Sequence, residues 1–131
     1  MPLESAIRRA GAPCHAMADG MAVRIDKGTV FEPDAHVYCG PELPGDVLIS
    51  ENPIIVVEVI SPTLTMMQLW DREQICLANG AKEFWVADPG LRIVKVTTPD
   101  GRTVTYREGD EIPLPIFGSE AKIKVSEIFR Y

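Results

Sequence analysis

Ile54-Ile55-Val56-Val57-Glu58-Val59-Ile60 sets a single carboxylate among β-branched aliphatic residues, between Asn52-Pro53 and Ser61-Pro62. A short, continuous apolar run between such punctuating residues reads as a strand buried on both faces. An ionised carboxylate in that setting costs several kcal/mol unless a metal, a cation or hydrogen bonds compensate it. Glu58 therefore requires a partner, and the partner bears on what the fold does.

Downstream, Ser61-Pro62-Thr63 introduces a helix predicted over about 65–78, stopped by Asn79-Gly80. Glu83-Phe84-Trp85-Val86-Ala87-Asp88-Pro89 then reads as a second buried strand. A helix between two buried strands predicts a crossover lying on one face of their sheet. Two further strands, 91–98 and 102–107, flank Asp100-Gly101, a hairpin turn signal. A last strand is expected at 121–125, with Ser126 capping a short turn through Phe129.

Upstream, residues 3–10 look like the tail of a helix ending at Gly11, and 21–25 alternate as a strand that turns at Asp26-Lys27-Gly28. Another strand follows the Pro33 break, with Asp34, His36 and Tyr38 on one side and Ala35 and Val37 on the other. Residues 39–46 read as a loop. This order implies an α/β chain with a mixed central sheet, organised as a single domain over 1–131.

Composition sets outer bounds. With 46% hydrophobic and 24% charged residues the chain is ordinary globular material, neither disordered nor fibrous. A net charge of −6 argues against a protein that coats nucleic acid broadly, but not against local contact aided by divalent cations. Three cysteines without paired spacing argue against a disulfide framework and for a reducing compartment, the cytoplasm by default. No apolar run approaches the roughly 20 residues needed to span a bilayer, and residues 1–20 do not resemble a signal peptide.

Asp34 and Glu58 on neighbouring strands would converge on one point. Paired carboxylates with a backbone carbonyl beside them suit Mg²⁺ or Mn²⁺, and such an ion supports metal-assisted hydrolysis. At these residues a resemblance appears. Pro33-Asp34, then Val56-Val57-Glu58-Val59-Ile60-Ser61-Pro62, then the helix and Lys82 to Pro89 resemble the Uma-type endonuclease family. That family belongs to the restriction-endonuclease-like superfamily, whose signature is PD-(D/E)-x-K. The similarity runs from about Met21 to the C-terminal Val125-Ser126-Glu127-Ile128-Phe129.

The resemblance implies a restriction-endonuclease-like fold: a mixed central sheet, a helix after the acidic strand and a C-terminal β-hairpin. It implies DNA as partner and Mg²⁺ or Mn²⁺ as cofactor. Asp34 and Glu58 would be metal ligands, joined by the carbonyl of Val59. The position of the signature lysine holds Ile60, and the family places its lysine on the following helix instead. There the expected aspartate, lysine and tyrosine fall on Gln68, Arg72 and Cys76, one helical stripe at i, i+4 and i+8. Arg72 and Gln68 would orient water or phosphate, although an arginine does not shuttle protons as a lysine can. Family members usually begin with further helix and strand elements, and this chain starts near the end of that region.

Other readings of the same residues stand beside this one. Glu58 can be half of a structural ion pair with Arg72 or Lys95, in a catalytically inactive nuclease-like scaffold that serves as an interaction or assembly module. Cys14, His15, His36 and Cys39 weakly imitate a zinc site, and His36 otherwise reads as partly exposed. Trp70 and Trp85 read as core or interface aromatics. Met66, Met67, Leu69, Trp70, Ile75 and Leu77 give the helix more apolar residues than one face needs, which predicts a homodimer.

Overall fold

The computed structural model describes residues 2–18, 21–47 and 49–129. Helix α1 (Pro2–Ala10) precedes strands β1 (Cys14–Ala18), β2 (Ala22–Asp26), β3 (Thr29–Phe31), β4 (Ala35–Cys39) and β5 (Ile49–Glu51). The run around Glu58 forms β6 (Ile55–Val59), and α2 (Met66–Ala78) connects it to β7 (Glu83–Asp88). The hairpin β8 (Ile93–Thr97) and β9 (Thr103–Tyr106) follows, then β10 (Glu111–Pro113), β11 (Lys122–Lys124) and α3 (Val125–Ile128).

Among the described residues the central sheet runs β1-β4-β6-β7-β8-β9. β6 pairs antiparallel with β4 and parallel with β7, so it is hydrogen-bonded along both edges. Its burial follows from this central position: Ile55, Val56 and Glu58 are all at most 1% exposed. The expected α/β class, mixed sheet, helix after the acidic strand and hairpin are all present. The hairpin closes where Asp100 Oδ1 accepts the Arg102 N–H at 3.1 Å and Gly101 adopts φ +84°, a conformation that favours glycine.

Helix α2 starts where the sequence supplies a cap. The Thr65 hydroxyl accepts the Gln68 N–H at 3.1 Å, and the Gln68 carboxamide oxygen accepts the Thr65 N–H at 2.9 Å. This reciprocal capping box satisfies two donors that a helix start otherwise leaves open. α2 lies on the face of the sheet that carries Val56 and Phe84, where Leu69 and Cys76 pack with Val23 and Ile25 of β2. Those last two belong to a small second sheet, β3-β2-β5. On the opposite face, Val37, Ile55, Trp85, Val94 and Val96 pack with Leu3 and Ile7 of α1 and with Ile112, Leu114 and Ile123 around the β10–β11 pair. Each large apolar side chain fully buried there contributes roughly 1.5–3 kcal/mol relative to exposure. The buried Glu83 accepts the Trp85 indole N–H at 2.8 Å, and burial holds its pKa above the ordinary carboxylate range.

Several expectations need correction. Cys14 and Cys39 face each other across the β1–β4 pair and form a disulfide. Sequence spacing concealed this pairing, because the antiparallel register that creates it is a tertiary property. The bond also occupies the two thiols of the zinc alternative, and His15 Nε2 lies 3.1 Å from the Gly40 carbonyl. His36 is fully buried rather than partly exposed, since its register with Val56 turns it onto the covered face. Of the apolar residues on α2, Leu69 is buried, but Met66, Met67 and Trp70 are exposed. No helix among the described residues is long and apolar enough to cross a membrane.

Candidate functional site

Pro33 cannot donate to a ladder, so regular pairing of β4 begins only after Asp34. Because β4 runs antiparallel to β6, the residue before β4 meets the C-terminal end of β6, where Glu58 and Val59 lie. The two acids are clasped through backbone amides. The Asp34 N–H donates to Glu58 Oε1 at 3.1 Å, and the Val59 N–H donates to Asp34 Oδ2 at 2.7 Å. From α2, the Arg72 guanidinium donates to Glu58 Oε2 and pairs with it. Its central carbon sits 4.6 Å from the centroid of the Phe31 ring.

The structure thus brings Asp34, Glu58, Val59, Gln68 and Arg72 to one cleft of about 220 Å³, together with Glu32 and the residues Ser61 and Thr63. Burial raises the Glu58 pKa, and the nearby Asp34 charge adds to this. The hydrogen bond and charge of Arg72 and the Asp34 N–H act the other way. The direction is upward because a carboxylate stripped of water loses more than one partly exposed arginine returns. Cys76, third in the helical stripe, is buried, and its thiol is pushed up to about 12 by burial and then by the Glu58 charge. It stays protonated and is no nucleophile.

The stripe does not act as a unit. Gln68 lines the cleft, yet its carboxamide oxygen is committed to the Thr65 cap. Arg72 reaches Glu58, whereas Cys76 belongs to the core beneath α2. Lys95, weighed as an alternative partner for Glu58, instead lines a groove with Trp70 and Leu91. Two residues at the site escaped the sequence reading. Glu32, two positions before Asp34, carried a legible signal as a second acid beside the strand break. Phe31 carried none, since its contact with Arg72 depends on how the small sheet packs.

The oxygen donors suit a hard divalent cation in chemical type: the carboxylates of Asp34 and Glu58, with Glu32 and the Val59 backbone nearby. No group of three or more His, Cys, Asp or Glu side chains among the described residues is arranged to hold a metal ion. The donors thus fit an ion in chemical kind but are not gathered around one, and Arg72 stands against Glu58. A larger cavity of about 690 Å³ lies by α1 and the β10–β11 pair, but it is lined by opposing surface charges such as Arg9, Lys122, Glu111 and Glu127. The buried acid makes the smaller cleft the better chemical candidate.

Comparison with known proteins gives matches to a family model and to solved structures. The model of the Uma2 family, described as putative restriction endonuclease, matches residues 2–126. The crystal structure of a putative nuclease belonging to DUF820 from Anabaena variabilis superposes with a TM-score of 0.76. It is 20% identical, over 97% of this chain and 75% of that one. At this identity the likeness speaks for the fold. No curated protein matches the chain.

Proposed function

The chain belongs to the Uma2 family of putative restriction endonucleases, and from that premise we propose that it is a divalent-metal-dependent DNA endonuclease, hydrolysing phosphodiester bonds in the Asp34–Glu58 cleft. The observation that carries this reading is the clasp of Asp34 and Glu58 at adjoining strand ends, open to a cleft and beside an arginine. Asp34, Glu58 and the Val59 carbonyl would hold Mg²⁺ or Mn²⁺. When bound, such an ion supplies Lewis-acid activation of water and neutralises charge on the phosphoryl group.

The chain's own groups supply the rest. Arg72 offers a bidentate phosphate contact and cannot act as the proton acceptor, because its guanidinium stays charged. With its oxygen in the helix cap, Gln68 offers only its amide nitrogen to a phosphate oxygen or a water. A net charge of −6 gives little general attraction to DNA, so affinity rests on the ion and Arg72. Calorimetric titration with Mn²⁺ tests the site. The wild type is expected to bind, and Asp34→Asn to bind at least about tenfold more weakly. A folded wild type that takes up no Mn²⁺ overturns the reading.

The second reading, a catalytically inactive scaffold for interaction or assembly, is favoured by one observation: Glu58 already has a cation in Arg72. Under either reading we propose a homodimer. Met66, Met67, Trp70 and Leu91 are 72, 69, 58 and 70% exposed, and Met66, Trp70 and Leu91 border one groove of about 310 Å³. In a two-fold interface the same surface patch meets its own copy. Uncharged methionine, tryptophan and leucine can do so, whereas a surface with excess acid cannot. Trp70→Glu is expected to weaken the dimer by at least tenfold, read as mass in solution at micromolar concentration. A wild type already monomeric there sinks the dimer.

A cytoplasmic location also belongs to the proposal. Thiols are kept reduced there, so on this reading Cys14 and Cys39 face each other across the β1–β4 pair as thiols.

A further inference from the structure

Three elements converge on the guanidinium of Arg72. α2 carries it, β6 presents Glu58 Oε2 to it, and Phe31, the last residue of β3, lies under its face at 4.6 Å. Phe31 belongs to the small sheet and Glu58 to the central one, so the packing of two sheets fixes where one cation rests. Glu58 is 1% exposed, and its other oxygen accepts the Asp34 N–H. Both carboxylate oxygens are thus engaged by donors from this chain.

Resting on the reading of this cleft as a divalent-ion site, we propose that Arg72, seated on Phe31, is a resident counterion that the incoming ion must displace from Glu58. Once displaced, the guanidinium is left beside the ion to receive the phosphodiester. A guanidinium cannot shed its proton to make room. Two cations in contact with one buried carboxylate repel each other strongly at low dielectric. Arg72 has a way out, because its side chain is 29% exposed and it lines the open cleft. Phe31 is a positioning residue: it acts on the site by holding Arg72 over Glu58 through a cation–π contact.

The test is Mn²⁺ calorimetry at neutral pH on the wild type, Phe31→Leu and Arg72→Met, with thermal melts to establish that each is folded. Arg72→Met removes the cation that competes for Glu58 and is expected to bind Mn²⁺ at least tenfold tighter than the wild type. Phe31→Leu keeps the arginine and loses its seat, and is expected to gain about two- to tenfold. Adding Glu58→Gln to either variant should erase the gain. If the variants bind no tighter than a wild type that binds, the counterion role fails while the metal site stands. If no protein binds Mn²⁺, the metal site and the counterion role fall together. Should Arg72→Met not fold, Phe31→Leu alone decides.

Discussion

Glu58→Gln is expected to reduce Mg²⁺- or Mn²⁺-dependent cleavage of plasmid DNA by at least about 10²-fold, on the scale of losing one electrostatic element of an active site, with the chain still folded. Glutamine has the shape of glutamate and keeps a carboxamide oxygen to accept the Asp34 N–H that Glu58 Oε1 accepts now. It removes only the charge, which is the property an ion requires. Removing one member of a buried pair is ordinarily costly because the other charge is stranded. Here Arg72 keeps partial solvent exposure and its stacking on Phe31, so little stability should be lost. The same change also relieves burial of a carboxylate whose pKa that burial raises. Wild-type cleavage by the folded variant would remove Glu58 from the reaction. A wild type that cleaves nothing with either ion turns the argument to the scaffold. Restoring the family's acid and lysine, Gln68→Asp with Arg72→Lys, then asks whether activity was lost at those positions.

The parts of this protein that were legible in the sequence depend on local chemistry. The Glu58 strand showed itself as an apolar run, α2 through its Thr65 start and Asn79-Gly80 stop, and the hairpin through Asp100-Gly101. Asp34 and Glu58 were legible as a pair because a break and a lone charge each demand a reason. β1 went unread because Cys14-His15-Ala16-Met17-Ala18 alternates too weakly. β3, β5 and β10 have three residues each, too few to display a two-residue period. The Cys14–Cys39 bond, the burial of His36 and the seat of Arg72 on Phe31 arise from register and sheet packing. The stripe of Gln68, Arg72 and Cys76 was legible as geometry, and its three fates were not. A cap, an ion pair and a core contact are decided by what stands opposite each residue.

The burial of His36 has the larger consequence for stability. Its ring is fully enclosed and neither nitrogen has a hydrogen-bond partner. An enclosed polar group without partners costs about 1–3 kcal/mol, so His36→Leu, close in size, is expected to raise stability by about that much at pH 7. The pH dependence has a definite sign. Burial lowers the His36 pKa from 6.5 to about 4, so between those values the unfolded chain binds a proton that the folded chain refuses. Stability therefore falls as pH drops below about 6.5 and levels off near 4. At 1.36 kcal/mol per pKa unit the loss amounts to about 3 kcal/mol. Glu58 and Glu83, raised by burial, act oppositely as they protonate, and both remain in the variant, so the difference between the two proteins isolates His36. Urea unfolding at pH 7 and pH 5 measures that difference. The gap between variant and wild type should widen at pH 5. A gap that stays constant between the two pH values would mean that the folded chain protonates His36 as readily as the unfolded one does.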